Sequence, residues 1–196
     1  MDLTDLVMLD IKHIDPEKHK DLVKQPNDGI LAFAEYLDKK NVQMLTAHKV
    51  FSEAELKSRC EIMLENYCKT VLIEANTMID MAKTEIAPAV SAYALELANT
   101  AAAKKAVDAS ISCNYEAGLV RKLARLEDQI AVKVDDLEEA VMQLQDAGSI
   151  EAESYKIRDV ILGKMGELRV ACDEAETMTA KKYWPFPTYG DLLFGV

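Results

Sequence analysis

Residues 119–144, LVRKLARLEDQIAVKVDDLEEAVMQL, decide the fold of this chain. Leu119, Leu123, Leu126, Ile130, Val134, Leu137, Val141 and Leu144 recur in steps of three and four over about four heptads, the seam of a helix packed against other helices. Upstream, the polar break around Ser110–Asn114 offers Ser112 or Asn114 as the helix cap, and downstream Gly148 stands as a C′ residue, with Ser149 opening the next helix. That next helix places Ile157, Ile161, Met165, Leu168, Cys172 and Ala175 on one side. It is expected to end near Lys181 and Lys182, whose charge suits a helix C-terminus. Working backwards, Ser52-Glu53-Ala54-Glu55 forms a capping box with Phe51 in the staple position. Leu56, Cys60, Met63, Tyr67, Val71, Met78 and Met81 follow at near-helical spacing, with one break at Glu74. No glycine interrupts between Gly29 and Gly118, so a helix is predicted from Glu53 to about Val107, kinked at Pro88, which removes a backbone donor. Short breaks between long amphipathic helices imply antiparallel neighbours. The predicted fold is therefore mainly α, an antiparallel bundle of three long helices, the first kinked at Pro88.

Texture changes at Gln43–His48. Ahead of it, Asp5–Ile11 is a mostly apolar run suited to a strand buried on both faces. Asp15-Pro16-Glu17 starts a helix. A second helix is expected over Asn27–Lys40 with Ile30, Leu31, Phe33, Ala34 and Leu37 on its apolar side, and Val42 opens another strand. This is a β-α-β fragment whose parallel strands need neighbours. The chain thus divides into a fragment over residues 1–43 and a helical domain over residues 48–196.

The other end is different again. Between Tyr183 and Phe194, two prolines forbid a helix, and Tyr183, Trp184, Phe186, Tyr189, Leu192 and Phe194 present more apolar surface than water tolerates cheaply. An extended aromatic tail of this kind must dock, either as a cap on its own bundle or as a clasp on a neighbouring subunit.

Charge and composition exclude several functions. A formal net charge of -11 disfavours nucleic acid and an anionic membrane as partners, because both need a basic face. No apolar run approaches the roughly 20 residues of a membrane span. The acidic N-terminus is unlike a signal peptide, so a cytoplasmic location is expected. Cys60, Cys68, Cys113 and Cys172 are scattered, with neither Cys-x-x-Cys nor metal spacing, and read as reduced, mostly buried thiols. His13 and His19 do not share a face and suit solvent better than a metal. The acids Glu53/Glu55 and Asp135-Asp136-Glu138-Glu139 alternate around helix faces and read as solvated. The nine methionines read as core filler, and the alanine-rich stretch Ala82–Val107 as a place for close helix approach. No catalytic, cofactor or metal residue is assigned in the helical domain.

Two resemblances add to this reading. TDLVMLDIKHIDPEKHKDLV, continuing through FAEYLDKKNV, resembles an internal stretch of the pyruvate formate-lyase activating enzymes, radical S-adenosylmethionine proteins on a partial β/α barrel, over about Asp2–Val42. The resemblance implies that Asp10 and the carbonyl of Met8 stand where that family binds a monovalent cation, and Lys12 where it approaches S-adenosylmethionine. The family's Cys-x-x-x-Cys-x-x-Cys cluster motif is absent from the sequence, so these positions are relics. HKVFSEAELKSRCEIMLENYCKTVLIEANTMIDMAKTEIAPAVSAYALELA and the closing KYWPFPTYGDLLF are similar to the C-terminal region of type III glutamine synthetases, over about His48–Val196. That resemblance implies a parent ligase that joins ammonia to glutamate with ATP and magnesium in a large oligomer. The catalytic barrel of such a ligase lies upstream of this region. The expectation is a structural module that contacts a catalytic domain or further copies of itself. The alternatives are an activase fragment or a stand-alone helical scaffold for another protein.

Overall fold

The computed structural model describes residues 37–146 and 148–187, together with positions 191 and 193. Among the described residues, α-helices follow in order: α1 Lys39–Ala47, α2 Glu53–Met81, α3 Ala87–Val107, α4 Asn114–Met142, α5 Ile150–Lys156 and α6 Leu162–Met178. A π turn, Ala82–Ile86, joins α2 to α3, and another, Ile157–Ile161, joins α5 to α6. Among the described residues there is no strand. The predicted strand Asp5–Ile11 and the helix begun at Asp15 lie outside them, as do His13 and His19.

The change of texture is a helix in the structure, not a strand. Val42, expected to open a strand, is inside α1, where its carbonyl accepts from Thr46 Oγ1 at 2.7 Å. Nor does a helix run unbroken to Lys40: Asp38 is the N-cap of α1 with extended ψ of 135°. Helix α1 ends in a Schellman motif, with Val50 N–H donating to Leu45 O and Lys49 N–H to Thr46 O, both at 3.0 Å. Lys49 takes the left-handed position at φ 54°, a conformation that costs a residue with a Cβ about 1 kcal/mol.

The chain forms two compact units. The first comprises the residues up to Thr70 and Ala147–Arg158. Its core contains Leu56, Cys60, Leu64 and Cys68 from α2, and Tyr67, Ile150 and Tyr155 pack against Cys60 and Leu64. The predicted capping box forms: Glu55 N–H donates to Ser52 Oγ at 3.3 Å, while Ser52 N–H donates to the Glu55 carboxylate at 2.7 Å. These bonds from Ser52 hold the Glu55 carboxyl below its usual range. Arg59 stacks over Phe51, 4.5 Å from the ring centre. Ser149 caps α5 by accepting from Ala152 N–H at 3.2 Å, as expected, after Gly148 turns the chain at φ 75°.

The second unit comprises Val71–Asp146 and Asp159–Val196. Helices α3 and α4 pack side by side. Lys83 reaches Glu138 at 2.6 Å, and Lys104 pairs with Glu116. Advancing 21 residues on the first arm of this helical hairpin, from 83 to 104, retreats 22 on the second, from 138 to 116, so the two run antiparallel. Helix α4 also packs against α6, where Lys133 pairs with Glu167. The α4 stripe is buried much as its sequence predicts, at Leu123, Leu126, Ile130, Val134, Leu137 and, in the following 3₁₀ turn, Leu144. Leu119 and Val141 are only half-buried, and Glu116 and Ala140 are buried instead. Ile161, Leu168, Cys172 and Ala175 face inward as expected, whereas Met165 is half-buried.

Several finer expectations are corrected. The cap of α4 is Cys113, without a side-chain cap bond, in place of Ser112 or Asn114. Its Sγ instead contacts the carbonyls of Ala101 and Ile111 at 3.5 and 3.7 Å and ties the α3–α4 connection together. Ahead of Pro88 the helix winds one turn wider over Ala82–Ile86, where Ala87 N–H reaches back five residues to Ala82 O, and Pro88 lies in the first turn of α3. The buried stripe on α2 passes through Leu64, Cys68, Ala75 and Ile79, leaving Met63, Tyr67, Met78 and Met81 half-buried on its flank. The described methionines are therefore flank residues and not core filler; Met44 and Met142 are more than half exposed. Helix α6 stops at Met178, capped by Thr179, short of the predicted end at Lys181–Lys182.

Candidate interface at the aromatic tail

The tail begins where α6 ends. Thr179 Oγ1 and N–H both donate to Ala175 O, at 2.8 and 2.9 Å, and Tyr183 N–H donates to Ala180 O at 2.8 Å, which turns the chain. The turn delivers Lys182 and Tyr183 to α3. Tyr183 packs on Tyr93 with ring centres 5.4 Å apart and a tilt of 38°, and its hydroxyl donates to the Glu96 carboxylate. Lys182 Nζ donates to both oxygens of that carboxylate at 2.8 Å, while lying 4.8 Å from the Tyr183 ring centre. Lys182 thus serves Glu96, and Lys181 pairs with Asp191; neither acts as the predicted helix-terminal charge. Burial pushes the Tyr93 hydroxyl above the ordinary phenol range, assisted by Tyr115 and Glu96 and opposed by Lys182.

Of the sequence-predicted interface residues, Tyr183, Trp184 and Phe186 fall within the described chain. Trp184 and Phe186 meet edge to face with centres 6.3 Å apart, and both are half-buried. Tyr189, Leu192 and Phe194 lie outside the described residues, as do the relic positions Met8, Asp10 and Lys12. Beside Tyr183, an open groove of about 480 Å³ follows α3 along Ala92, Leu95, Glu96, Asn99 and Ala103. Its spacing of three and four marks a single face of the helix. Sequence reasoning missed Glu96 and Tyr93 as acceptors of the tail. Their i, i+3 spacing on an alanine-rich helix was a signal, but the partner lies 86 or 87 residues away.

Four of the acids weighed as cation ligands are engaged elsewhere, Glu55 in the capping box of α2. Asp136 faces Lys133, Glu138 pairs with Lys83, and Glu139 accepts from Gln143 Nε2 at 3.0 Å. Glu65 pairs with Lys69 at 2.9 Å. No group of three or more His, Cys, Asp or Glu that could hold a metal occurs among the described residues, and none of their helices is long and apolar enough to cross a membrane. Burial pushes the thiols of Cys68 and Cys172 up to about 11 and raises that of Cys60 as well, which makes these three poor nucleophiles near neutral pH.

Residues 18–105 match the family model of the glutamine synthetase C-terminal domain. Over those residues the chain is similar to that domain. The match begins 30 residues ahead of His48 and so crosses the change of texture. Among curated relatives, the glutamine synthetase of Butyrivibrio fibrisolvens is 30% identical over 162 residues, covering 82% of this chain and 23% of the relative. The type-3 glutamine synthetase of Dictyostelium discoideum is 25% identical over 159 residues, 79% of this chain and 22% of the relative. The chain therefore spans less than a quarter of the length of the glutamine synthetases it matches. A shorter likeness, 46% over 48 residues and 24% of this chain, joins it to the pyruvate formate-lyase-activating enzyme of Listeria monocytogenes, of which it covers 19%.

Proposed function

We propose that this chain acts as a structural and subunit-contact module of the type III glutamine synthetase kind, and does not itself carry the ligase reaction. The parent reaction is ATP-dependent joining of ammonia to glutamate, with magnesium, and its nucleotide and metal sites belong to a catalytic domain that this module supports. The partners are such a catalytic domain or further copies of this chain, in a cytoplasmic setting. The observation that carries the reading is the seating of Lys182 and Tyr183 on Glu96, which fixes the root of the aromatic tail beside an open face of α3. A residue pair anchored in this way holds an aromatic hot spot ready for a partner without further ordering cost. Two measurements test it. Incubation of the chain with glutamate, ammonia, ATP and magnesium should yield no glutamine, and sustained glutamine formation would end the non-catalytic reading. Removing residues 183–196 should lower the oligomeric mass seen by analytical ultracentrifugation, and an unchanged mass would end the subunit-contact reading.

A second reading, an activase fragment, draws on the 48-residue likeness. It requires an iron–sulfur cluster, and anaerobic treatment with iron and sulfide should leave the protein colourless, since no Cys-x-x-x-Cys-x-x-Cys run is present.

A further inference from the structure

Helix α3 has no charged outer face of the usual kind. Among its exposed positions, all of which fall within the described residues, Lys105 alone is charged, whereas those of α4 carry Arg121, Lys122, Arg125, Asp128, Asp135 and Glu139. A helix with so little polarity on either side is ordinarily covered on both. Its inner side buries Val90 and Leu97, while Leu95 stays 62% exposed along the open groove beside Tyr183. Charge narrows what can cover that groove. Two copies of a chain with net charge -11 repel wherever acidic surfaces meet. In the groove the one carboxylate, Glu96, is matched by the Lys182 ammonium on both of its oxygens, so this surface lets two copies meet without that repulsion. The face also complements itself. Read end for end, position 92 pairs with 103, 95 with 100 and 96 with 99, which sets small Ala92 against small Ala103 and the Asn99 amide opposite the Glu96 carboxylate. A carboxylate accepts at about four sites, of which Lys182 and Tyr183 take three. Asn99 makes no side-chain hydrogen bond among the described residues, so its amide is available as the remaining donor.

We infer that this face of α3 is where a second copy of the chain docks, the two helices antiparallel about an axis between positions 97 and 98, with Asn99 of each copy on Glu96 of the other. The inference rests on the subunit-contact reading and names its surface. A single helix pair is small beside the roughly 800 Å² per partner of a standard interface, so the pairing is weak and concentration-dependent. Tyr183, at the edge of the groove, joins the root of the tail to it.

Sedimentation of the full chain from about 1 μM to about 1 mM should show reversible self-association. Asn99→Asp sets a carboxylate against Glu96 of the other copy, twice per dimer, and should weaken association at least about tenfold with thermal stability unchanged, whereas Asn99→Lys should leave it equal or tighter. The same two replacements at Gln129, exposed on α4, should each shift the dissociation constant by less than about twofold. A chain that stays monomeric throughout would overturn the proposal. So would equal responses to Asp and Lys at position 99, or responses at position 129 as large as those at 99. If removing residues 183–196 lowers the mass while both changes at Asn99 leave it as it was, the α3 face falls and the subunit-contact reading stands; if none of them lowers it, both fall.

Discussion

Helices α3 and α4 are neighbours in one antiparallel hairpin, yet they are held by different physics. Helix α4 buries Leu123, Leu126, Ile130, Val134 and Leu137 along one stripe, and its opposite face is charged. Helix α3 buries only Val90 and Leu97 within its span, and leaves Leu95 62% exposed. Alanine allows it to approach α4 closely but gives it little apolar area to bury. Polar groups add to its placement: Lys83, in the π turn ahead of it, pairs with Glu138, Lys104 near its end with Glu116, and the tail's Lys182 and Tyr183 with Glu96. A helix can thus be placed by its own periodicity or by the groups its neighbours bring to it, and only the first kind announces itself in a single sequence.

The contrast can be broken most sharply at Leu137, which is fully buried. Leu137→Ala should destabilise the second unit by about 3 kcal/mol through lost burial and a residual cavity, read from chemical denaturation. A loss below about 1 kcal/mol would mean that α4 is not the hydrophobic spine of the unit. Next in size, Tyr183→Phe keeps the ring on Tyr93 and removes only the hydroxyl donor to Glu96. It should cost about 1 kcal/mol, and a neutral result would show that α3 is not held by the tail's polar contact.

The Lys104–Glu116 pair gives a smaller effect with a pH signature. Its hydrogen bond from Lys104 holds the Glu116 carboxyl below the ordinary range, and the same bond raises Lys104 above its own. A carboxyl with a depressed folded pKa contributes stability that is complete above its unfolded value, about 4.3, and is lost as pH falls through the folded value. The ammonium contribution has the opposite sense and is lost only as pH rises through a folded value above about 10.4. The urea midpoint of Glu116→Gln should therefore fall less steeply below about pH 4 than that of the unaltered chain; parallel acid limbs would remove the pair from the account of α3. The smallest effect is expected at Leu95, whose replacement by alanine should change stability by no more than about 0.5 kcal/mol. A larger change in dilute solution would mean that the open face of α3 is already covered.

What the sequence made legible follows the same division. The α4 stripe, the Ser52–Glu55 box, the glycine turn at Gly148 and the Ser149 cap are local patterns, each completed within a few residues. On α2 the apolar residues are too many to mark one face, and Met63 and Met78 compete with Leu64 and Ile79 for the same stripe; packing chose the shorter branched side chains. Val42 has strand propensity, but α1 absorbs it, because propensity is a weak prior against a helix with a formed C-terminal turn. Of the candidate interface, the aromatic half was visible and the receiving half was not. Tyr93 and Glu96 are unremarkable residues until the chain returns to them from almost ninety positions away.

The π turn at Ala82–Ile86 has a consequence for how this domain can change length. A helix that reaches back five residues at Ala87 holds one residue more than regular winding needs, so the turn is in effect an insertion already accommodated. Deleting one exposed position inside it, such as Thr84, lets the backbone return to ordinary α geometry up to Pro88 without moving the faces on either side. The same deletion in the middle of α4 would rotate every following side chain by about 100° and turn its stripe away from its neighbours. Length variation among such domains should therefore collect at this turn, where the helix can gain or lose a residue and still present the same face.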